Sequence, residues 1–397
     1  MALKLSVSTA FDPDGHKPGL RLQGDWVHVL ITDGRHWGVG ELSHSGDDAR
    51  CIQTARELFA VVETSRSLSL ELLQAWRVGN WSNPADFITA TAISGLEQAL
   101  VDLIAQQAGV PSWQLFGNPT PPSDVPVYAT LNRALTSRTE SDYGAVIEAA
   151  LQAGFTSLKV APFDQVEPAG DQRAQAREAL ELMEKLVRRF PAVSWRVDCH
   201  ARFVPKTFAP VARRLASLSL AWLEEPFVDP TALAALRQAC PIPIAAGELF
   251  FGPQGFLPLL QANAVDVIMP DVKHCGGFLA LREIGELAES FGVKVSPPQP
   301  LRARFHHRLV ARRGHHAECH RPGDSLLPGS GSNTLPAPDR KRAHEATPPN
   351  RLGLRCHPLA SLCGLTPSAW PRICQRGCER ERAENSSTRS RSGLRNC

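Results

Sequence analysis

Residues 194–227 read SWRVDCHARFVPKTFAPVARRLASLSLAWLEEPF, and this stretch decides the fold. It opens and closes on short runs rich in Val, Trp and Leu, residues 194–203 and 220–227, which are typical of buried strands. Between these runs, apolar residues three to four apart predict a helix over residues 208–217. A strand, a helix and a second strand in this order are typical of two parallel strands joined by a helix.

The same alternation extends in both directions along the chain. Further strands are predicted at residues 125–131, 156–163, 242–251, 265–272 and 293–296, and further helices at 143–153, 172–189, 231–239, 256–263 and 278–290. Seven strands and six helices in strict alternation predict an α/β fold with a parallel sheet, most simply a (β/α) barrel. A doubly wound open sheet is the alternative. It predicts a Gly-rich phosphate turn after the first strand, and TLNRALTS at residues 130–137 contains none.

The part of the chain before this alternation has a different pattern. Residues 20–42 alternate apolar and polar positions around an Asp33-Gly34 turn, which predicts an antiparallel hairpin. Residues 90–108 carry apolar side chains at helical spacing and stop at Gly109. We therefore predict an N-terminal α+β capping domain over residues 1–124 and a (β/α) barrel domain over residues 125–298.

The C-terminal segment differs from both domains in charge and composition. Residues 301–397 hold 18 Lys and Arg against 7 Asp and Glu, a net +11, which leaves 25 against 33, or −8, for residues 1–300. The same segment contains one Val and one Ile, too few for a packed core. We therefore expect residues 299–397 to be an aberrant basic tail that is disordered.

Cysteine spacing and hydropathy suggest where the protein resides. The four cysteines before the tail are widely spaced and form no CxxC pair, which indicates reduced thiols. The first residues, MALKLSVSTAFDPDG, have too short an apolar run for a signal peptide, and no window approaches a membrane span. We expect a soluble cytoplasmic protein without a membrane partner.

Charged side chains recur where the predicted strands end, and in a barrel those ends meet at one rim. In chain order they are Lys159, Asp198 with His200, Glu224 with Glu225, Glu248, and Asp271. Taken singly, each of these carboxylates could equally be a helix cap or a solvated charge. Three successive strands that each bring a carboxylate favour a site for a hard divalent cation such as Mg²⁺. We interpret Lys273 and His274, just beyond Asp271, as structural.

The ordered set of strand-end motifs resembles one known family. KVA (159–161), VDCHARF (197–203), WLEEPF (222–227), IPIAAGE (242–248) and VIMPDVKHCGG (267–277) resemble the enolase superfamily, in its mandelate racemase/muconate lactonizing enzyme-like branch with the galactonate-type acid-sugar dehydratases. ISGLEQALVDLIAQQAGVPSWQLFG (93–117) is similar to that family's link between capping domain and barrel. The resemblance covers about residues 20–300 and implies a modified (β/α)7β TIM barrel.

The resemblance also implies a function and roles for the site residues. Asp198, Glu224 and Glu248 would bind Mg²⁺, and the hairpin between Gly24 and Gly40 would help close the site over a small sugar acid. The expected activity is that of a lyase, an Mg²⁺-dependent dehydratase of an aldonate or aldarate that abstracts the α-proton and stabilises an enediolate. The remaining roles are those of His200 in the departure of the β-hydroxyl, Lys159 beside the substrate carboxylate, and Asp271 in orienting a histidine base from the seventh strand. Family members are often homo-oligomers.

Two departures from the family pattern limit these expectations. Ala161 stands where the family usually has the second lysine of a Lys-x-Lys pair, which disfavours a racemase that uses that lysine as a base. The family commonly reads SPHNPSGP at the end of the seventh strand, whereas residues 296–303 read SPPQPLRA and lack the histidine.

An insertion of one base would account for the missing histidine. If one extra base precedes this point, the codons of residues 296–307 permit SPHNPSGPVST in the neighbouring frame. We therefore expect the tail to be a shifted reading frame, the barrel to be incomplete without its last helix and strand, and the dehydratase activity to be impaired. A racemase or epimerase of the same fold remains an alternative, as does a catalytically inactive protein with a basic binding tail. We expect no nucleic-acid partner, although Arg-rich segments can bind one.

Overall fold

The computed structural model describes residues 2–10, 26–43, 46–65, 67–81, 86–117, 126–132, 134–135 and 137–298. All of them lie within the first of the two units into which the chain divides, Met1–Leu327. The predictions for residues 299–397, both their disorder and their shifted reading frame, lie outside the described residues. The first part of the predicted hairpin, residues 20–25, does so as well.

A three-stranded antiparallel sheet opens the fold. Its strands are β1 (Lys4–Ala10), β2 (Trp26–Thr32) and β3 (Trp37–Glu41), in the spatial order β1-β2-β3. The turn between β2 and β3 is the predicted one: the Asp33 carboxylate accepts the backbone N–H groups of Arg35 and His36 at 2.7 and 2.6 Å. Gly34 adopts φ 92°, a conformation that glycine reaches at little cost. The hairpin prediction is confirmed for the part of the chain that the structure describes.

Three helices follow this sheet, α1 (Asp48–Val62), α2 (Leu70–Asn80) and α3 (Phe87–Ala108). An N-cap side chain begins each helix by accepting a backbone N–H, namely Asp47, Ser69 and Asp86. Helix α3 ends at Gly109 with φ 70°, as expected for a left-handed C-cap. A 3₁₀ helix, Ser112–Phe116, comes next.

Helix α3 is the central element of the N-terminal part. Among the described residues it is the one helix long and apolar enough to cross a membrane. By length and composition it departs from the expectation that no window approaches a membrane span. However, 72% of its most apolar window is buried inside the protein, as in the core helix of a folded domain. Strand β3 packs so closely on α3 that a Cβ added to Gly40 would lie 1.9 Å from the backbone oxygen of Gly95.

A seven-stranded parallel sheet follows, in the spatial order β10-β9-β8-β7-β6-β5-β4. The strands are β4 (Ala129–Thr130), β5 (Ser157–Val160), β6 (Ser194–Asp198), β7 (Trp222–Glu224), β8 (Ile244–Ala246), β9 (Val267–Ile268) and β10 (Lys294–Val295). Each strand pairs with its neighbours in sequence, whereas a doubly wound sheet would reverse its order at a switch point. The described residues thus form a curled half-barrel with β4 and β10 at its edges, and the predicted fold class is confirmed.

Helices connect these strands: α4 (Glu140–Gln152), α5 (Gln172–Gln175), α6 (Arg177–Arg189), α7 (Pro205–Ala216), α8 (Pro230–Ala239), α9 (Gly252–Gln261) and α10 (Gly277–Ser290). The single helix predicted over residues 172–189 is two helices that meet at Ala176. The buried Gln172 side chain lies at the start of the first helix and makes hydrogen bonds to the backbone of Glu167, Arg202 and Val204. These bonds fix the loops that follow β5 and β6.

Apolar side chains divide between the two faces of the parallel sheet. The outer face packs against the helices in one large core, in which Trp195, Phe208 and Phe256 are among the largest buried side chains. The inner face carries a separate small cluster of buried residues, Tyr128, Trp222, Ala245, Val267 and Met269. Residues two apart on a strand share a face. The strand-end residues Asp198 and Glu224 therefore lie above this inner cluster.

Polar side chains on α3 hold the loop between β9 and α10. Ser94 Oγ accepts the backbone N–H of Gly276 at 2.8 Å. The Glu97 carboxylate accepts the backbone N–H groups of Phe278 and Leu279 at 2.7 and 2.8 Å. Those groups belong to the first turn of α10, whose N–H groups have no partner within the helix. Helix α3 thus supplies the N-terminal cap of a barrel helix, which fixes the loop that begins at Asp271.

Candidate active site

Three carboxylates converge at the C-terminal ends of adjacent strands. Asp198 ends β6, Glu224 ends β7, and Glu248 follows β8 after Gly247, whose φ is 111°. The strand register places Asp198 directly opposite Glu224. One ligand atom from each of the three carboxylates lies within 4.8 Å of the others, and Asp198 and Glu224 are buried. The structure therefore brings the three predicted metal ligands together.

The Lys159 ammonium lies against two of these carboxylates. Its Nζ is 2.9 Å from Asp198 Oδ2 and 2.5 Å from Glu224 Oε1, and all three side chains are buried. Burial alone would lower the pKa of Lys159, but the two carboxylates outweigh it and raise that pKa well above the usual value. Burial raises the pKa of Glu224, and the charge of Asp198 adds to the rise. Lys159 is therefore a counter-charge to the acidic cluster.

The second glutamate of the Glu224–Glu225 pair turns away from the cluster. Its φ of 38° places it in the left-handed region. Its carboxylate accepts the backbone N–H groups of Gly247 and Glu248 at 2.8 and 3.0 Å. Burial raises the pKa of Glu225 to about 7. Glu225 thus shapes the turn from which the Glu248 side chain reaches the cluster.

His200 lies beside the cluster, in contact with two aspartates. Its Nε2 is 3.2 Å from Asp198 Oδ2 and its Nδ1 is 3.4 Å from Asp164 Oδ1, while the side chain stays 46% exposed. Burial lowers the pKa of His200, but its bonds to Asp164 and Asp198 prevail and raise it to about 10. In the metal-free protein the imidazole is therefore protonated at neutral pH. Its partly exposed ring can donate a proton to a molecule above the cluster.

Asp164 is a site residue that the sequence reasoning missed. It follows β5 in the loop APFDQ, and on its other side it forms an ion pair with Arg138. Its position is a usable signal, because Asp164 comes four residues after Val160, the last residue of β5. Its carboxylate lies between a guanidinium and an imidazole, and this limits the orientations that the His200 ring can take.

Asp271 is buried at the same rim. Its Oδ1 accepts the backbone N–H of Lys273 at 2.9 Å, and its Oδ2 lies 3.7 Å from Lys273 Nζ. Burial raises the pKa of Asp271 to about 6, and the charge of Glu248 contributes to the rise. His274 turns toward α3 instead, where its Nδ1 is 2.9 Å from Thr91 Oγ1. Asp271 is thus within electrostatic reach of the acidic cluster, whereas His274 contacts helix α3.

The donor set suits a hard divalent cation. Three carboxylates on adjacent strands offer oxygen ligands only, which Mg²⁺ and similar ions prefer. Two of these groups are almost fully buried, and buried charges require a partner of opposite sign. Lys159 already supplies part of that charge. The residues present therefore fit a divalent metal ion.

Known proteins resemble this chain over about 70% of its length. A D-galactonate dehydratase family member from Paenibacillus sp. (strain JDR-2) is 27% identical over 301 residues, which are 70% of this chain and 73% of that protein. The D-xylonate dehydratase of Haloferax volcanii is 28% identical over 290 residues, 68% of each chain.

Solved structures share the fold. A member of the enolase superfamily from Salmonella Typhimurium superposes with a TM-score of 0.69 at 19% identity, covering 80% of this chain and 87% of that one. An enolase from Agrobacterium radiobacter, crystallised with sodium and L-malate, gives 0.67 at 23% identity over 81% of each chain. The family described as Enolase C-terminal domain-like matches residues 142–354, more than half of the 397 residues. The protein therefore belongs to this family, and the predicted resemblance to the enolase superfamily is confirmed.

Proposed function

We propose that this protein is built as an Mg²⁺-dependent dehydratase of a sugar acid, an aldonate or an aldarate. The observation that carries the proposal is the convergence of Asp198, Glu224 and Glu248 beside the half-exposed His200. The names of the relatives from Paenibacillus and Haloferax, a D-galactonate dehydratase family member and a D-xylonate dehydratase, support the substrate class. The proposal includes the division into a capping domain, residues 1–124, and a barrel domain, residues 125–298.

The cluster residues would hold the metal ion. When bound, the ion supplies Lewis-acid stabilisation of negative charge on the substrate's carboxylate oxygens. The ammonium of Lys159 lies against Asp198 and Glu224 and adds a second positive charge beside the cluster. Loss of a proton from the carbon next to the carboxylate puts charge on those oxygens, so both groups favour that step.

His200 would act on the hydroxyl of the next carbon. Once the α-proton is gone, the C–O bond breaks and the hydroxyl leaves as water after it accepts a proton from the imidazolium. The product is an enol that rearranges to a 3-deoxy-2-keto acid, so the overall change is loss of one water. Asp164 keeps the ring oriented toward the cluster through its contact with Nδ1.

The base for the α-proton is the missing part. The resemblance expects a histidine after the seventh strand, where this chain has Ser296, Pro297 and Pro298. None of these three side chains is a general base at neutral pH. We propose that the reading frame changes here and that the chain as given is impaired in turnover. Asp271 would orient the histidine in a chain with the restored frame.

Two versions of the protein test the proposal. We would compare the chain as given with a version from which one base is removed within the codons of residues 296–300. Each is assayed with Mg²⁺ and D-galactonate or D-xylonate for formation of the 3-deoxy-2-keto acid. We expect turnover in the restored version only, and His200→Gln in that version should abolish it. Turnover by the chain as given would show that the base is elsewhere.

The same assay distinguishes the alternative activities. In deuterated water, exchange of the α-proton without loss of water would indicate an epimerase or racemase. Absence of both exchange and dehydration in the restored version, across a panel of aldonates and aldarates, would overturn the dehydratase proposal. A nucleotide sequence that cannot yield the family motif in the neighbouring frame would overturn the proposed change of frame.

A further inference from the structure

Trp222 lies directly beneath the acidic cluster, on the inner face of the half-barrel. It is two residues before Glu224 on β7, so both side chains point to the same face. The indole Nε1 donates a hydrogen bond to Glu224 Oε2 at 3.0 Å, and both side chains are buried. The other carboxylate oxygen, Oε1, faces Lys159 Nζ. The two oxygens of Glu224 therefore have different partners, one below the cluster and one within it.

The Trp222 ring is itself held in place. The Arg196 guanidinium lies over the indole, 4.4 Å from the ring centroid, and also over Tyr128, 5.0 Å from its centroid. Tyr128 meets Trp222 edge to face, with centroids 5.4 Å apart. All three side chains are buried. Cation–π and edge-to-face contacts of this kind fix the plane of a ring, so the direction of the indole N–H is fixed as well.

We propose that Trp222 is a positioning residue for the metal site, whose indole N–H holds one oxygen of Glu224 and so directs the other toward the cation. The inference rests on the proposed metal site and extends it to a residue outside the set of carboxylate ligands. A glutamate has three rotatable bonds, and without the indole it can rotate Oε1 away from Asp198 and Glu248. Partners that orient a ligating side chain typically change metal affinity about 10–100-fold when removed.

The test compares two tryptophans of the same sheet. Trp222→Phe removes the N–H that reaches Glu224. Trp195→Phe is the matched control, because Trp195 is also fully buried, lies on β6, and faces the outer core, where its Nε1 reaches the backbone oxygen of Phe190 at 3.4 Å. Mn²⁺ is the probe, and its dissociation constant is measured by electron paramagnetic resonance on the full chain, with no assay of turnover.

We expect Trp222→Phe to weaken Mn²⁺ binding about 10–100-fold and Trp195→Phe to leave it unchanged within a factor of two to three. Equal affinity in the wild type and Trp222→Phe would overturn the role of Trp222. Equal weakening in both variants would also overturn it, since general loss of packing would then be the cause. No Mn²⁺ binding by the wild type would overturn the metal site of the proposed function itself.

A second variant keeps the test decisive if Trp222→Phe fails to fold. Benzothienylalanine at position 222 replaces the indole N–H by sulfur and preserves the shape of the ring, so the packing against Arg196 and Tyr128 is retained. We expect this substitution to reproduce the loss of Mn²⁺ affinity. Wild-type affinity with the sulfur ring would show that packing, and not the hydrogen bond to Glu224, is what matters.

Discussion

Replacing Glu97 by glutamine should change how the stability of the protein depends on pH. Glu97 is fully buried, and burial raises its pKa to about 7 from the usual 4.5, against the opposing effect of the N–H groups of Leu279 and Phe278. A carboxyl group with a raised pKa contributes stability that is fully present below about pH 4.5 and is lost as the pH rises through about 7. At about 1.4 kcal/mol per pKa unit, the loss is about 3 kcal/mol. Glutamine does not titrate, so Glu97→Gln should lack this loss.

The measurement is urea unfolding, followed by tryptophan fluorescence, at several pH values from 4.5 to 8. The free energy of unfolding of the wild type minus that of Glu97→Gln should fall by about 3 kcal/mol across this range. Other buried acids titrate in the same window, but they do so in both proteins and cancel in the difference. Glu181→Gln, at an exposed position of α6, is the control for the loss of a carboxylate at the surface. Parallel curves for the wild type and Glu97→Gln would refute the reasoning.

Three further perturbations test the packing and the charges of the site. Gly40→Ala should cost on the order of 3 kcal/mol in urea unfolding, because its Cβ would lie 1.9 Å from the backbone oxygen of Gly95; an unchanged midpoint would contradict the close packing of β3 on α3. In the metal-free protein, an NMR titration should place the pKa of His200 at about 10, and Asp164→Asn should lower it; an unshifted value would show that the Asp164 contact does not form. Lys159→Met should destabilise the metal-free protein by about 3–5 kcal/mol, because it leaves two buried carboxylates without their counter-charge. For the same reason it should enlarge the rise in Tm that Mn²⁺ causes. Equal rises in Tm in the wild type and the variant would contradict the counter-charge role of Lys159.

The order of strands and helices was predictable because each unit carries a local signal. Apolar runs such as SWRVD and AWLEE are bounded by polar or turn residues, and the connecting segments have helical periodicity. The lengths were not predictable. Residues 265–272 were predicted as one strand, yet only Val267–Ile268 pair as β9. A ladder requires an extended neighbour at each position, and Pro270 has no N–H to donate.

Strand β1 was not predicted, although its sequence KLSVSTA alternates between apolar and polar side chains. Its apolar residues Leu5 and Val7 are only partly buried. The alternating pattern is therefore a weaker signal than the apolar runs of the parallel strands. What establishes the strand is its pairing with β2 over seven residues. The paired residues lie 16 to 28 positions apart, from Ala10↔Trp26 to Lys4↔Thr32, so the pairing leaves no local pattern in the sequence.

The site was predictable where the backbone alone determines position. Because parallel strands end at one rim, the sequence predicts that Asp198 and Glu224 lie side by side, and the structure places them so. The roles of Asp164 and Trp222 were not predictable, because they depend on which way a side chain turns once neighbouring strands are in register. In the sequence, a tryptophan two residues before a glutamate indicates core packing only. The structure adds the 3.0 Å hydrogen bond from the Trp222 N–H to Glu224 Oε2.

Binding and turnover should be separable in this chain, and the strand order explains why. The acidic cluster is supported by β5 to β8, and each of these strands has a paired neighbour on both sides. The segment where the expected base is missing follows β10, which pairs only with β9 among the described strands. The register that sets Asp198 against Glu224 therefore does not depend on the residues after Pro298. A chain with the family motif and a chain without it should bind the same cation with similar affinity, and differ in whether a proton can then be removed.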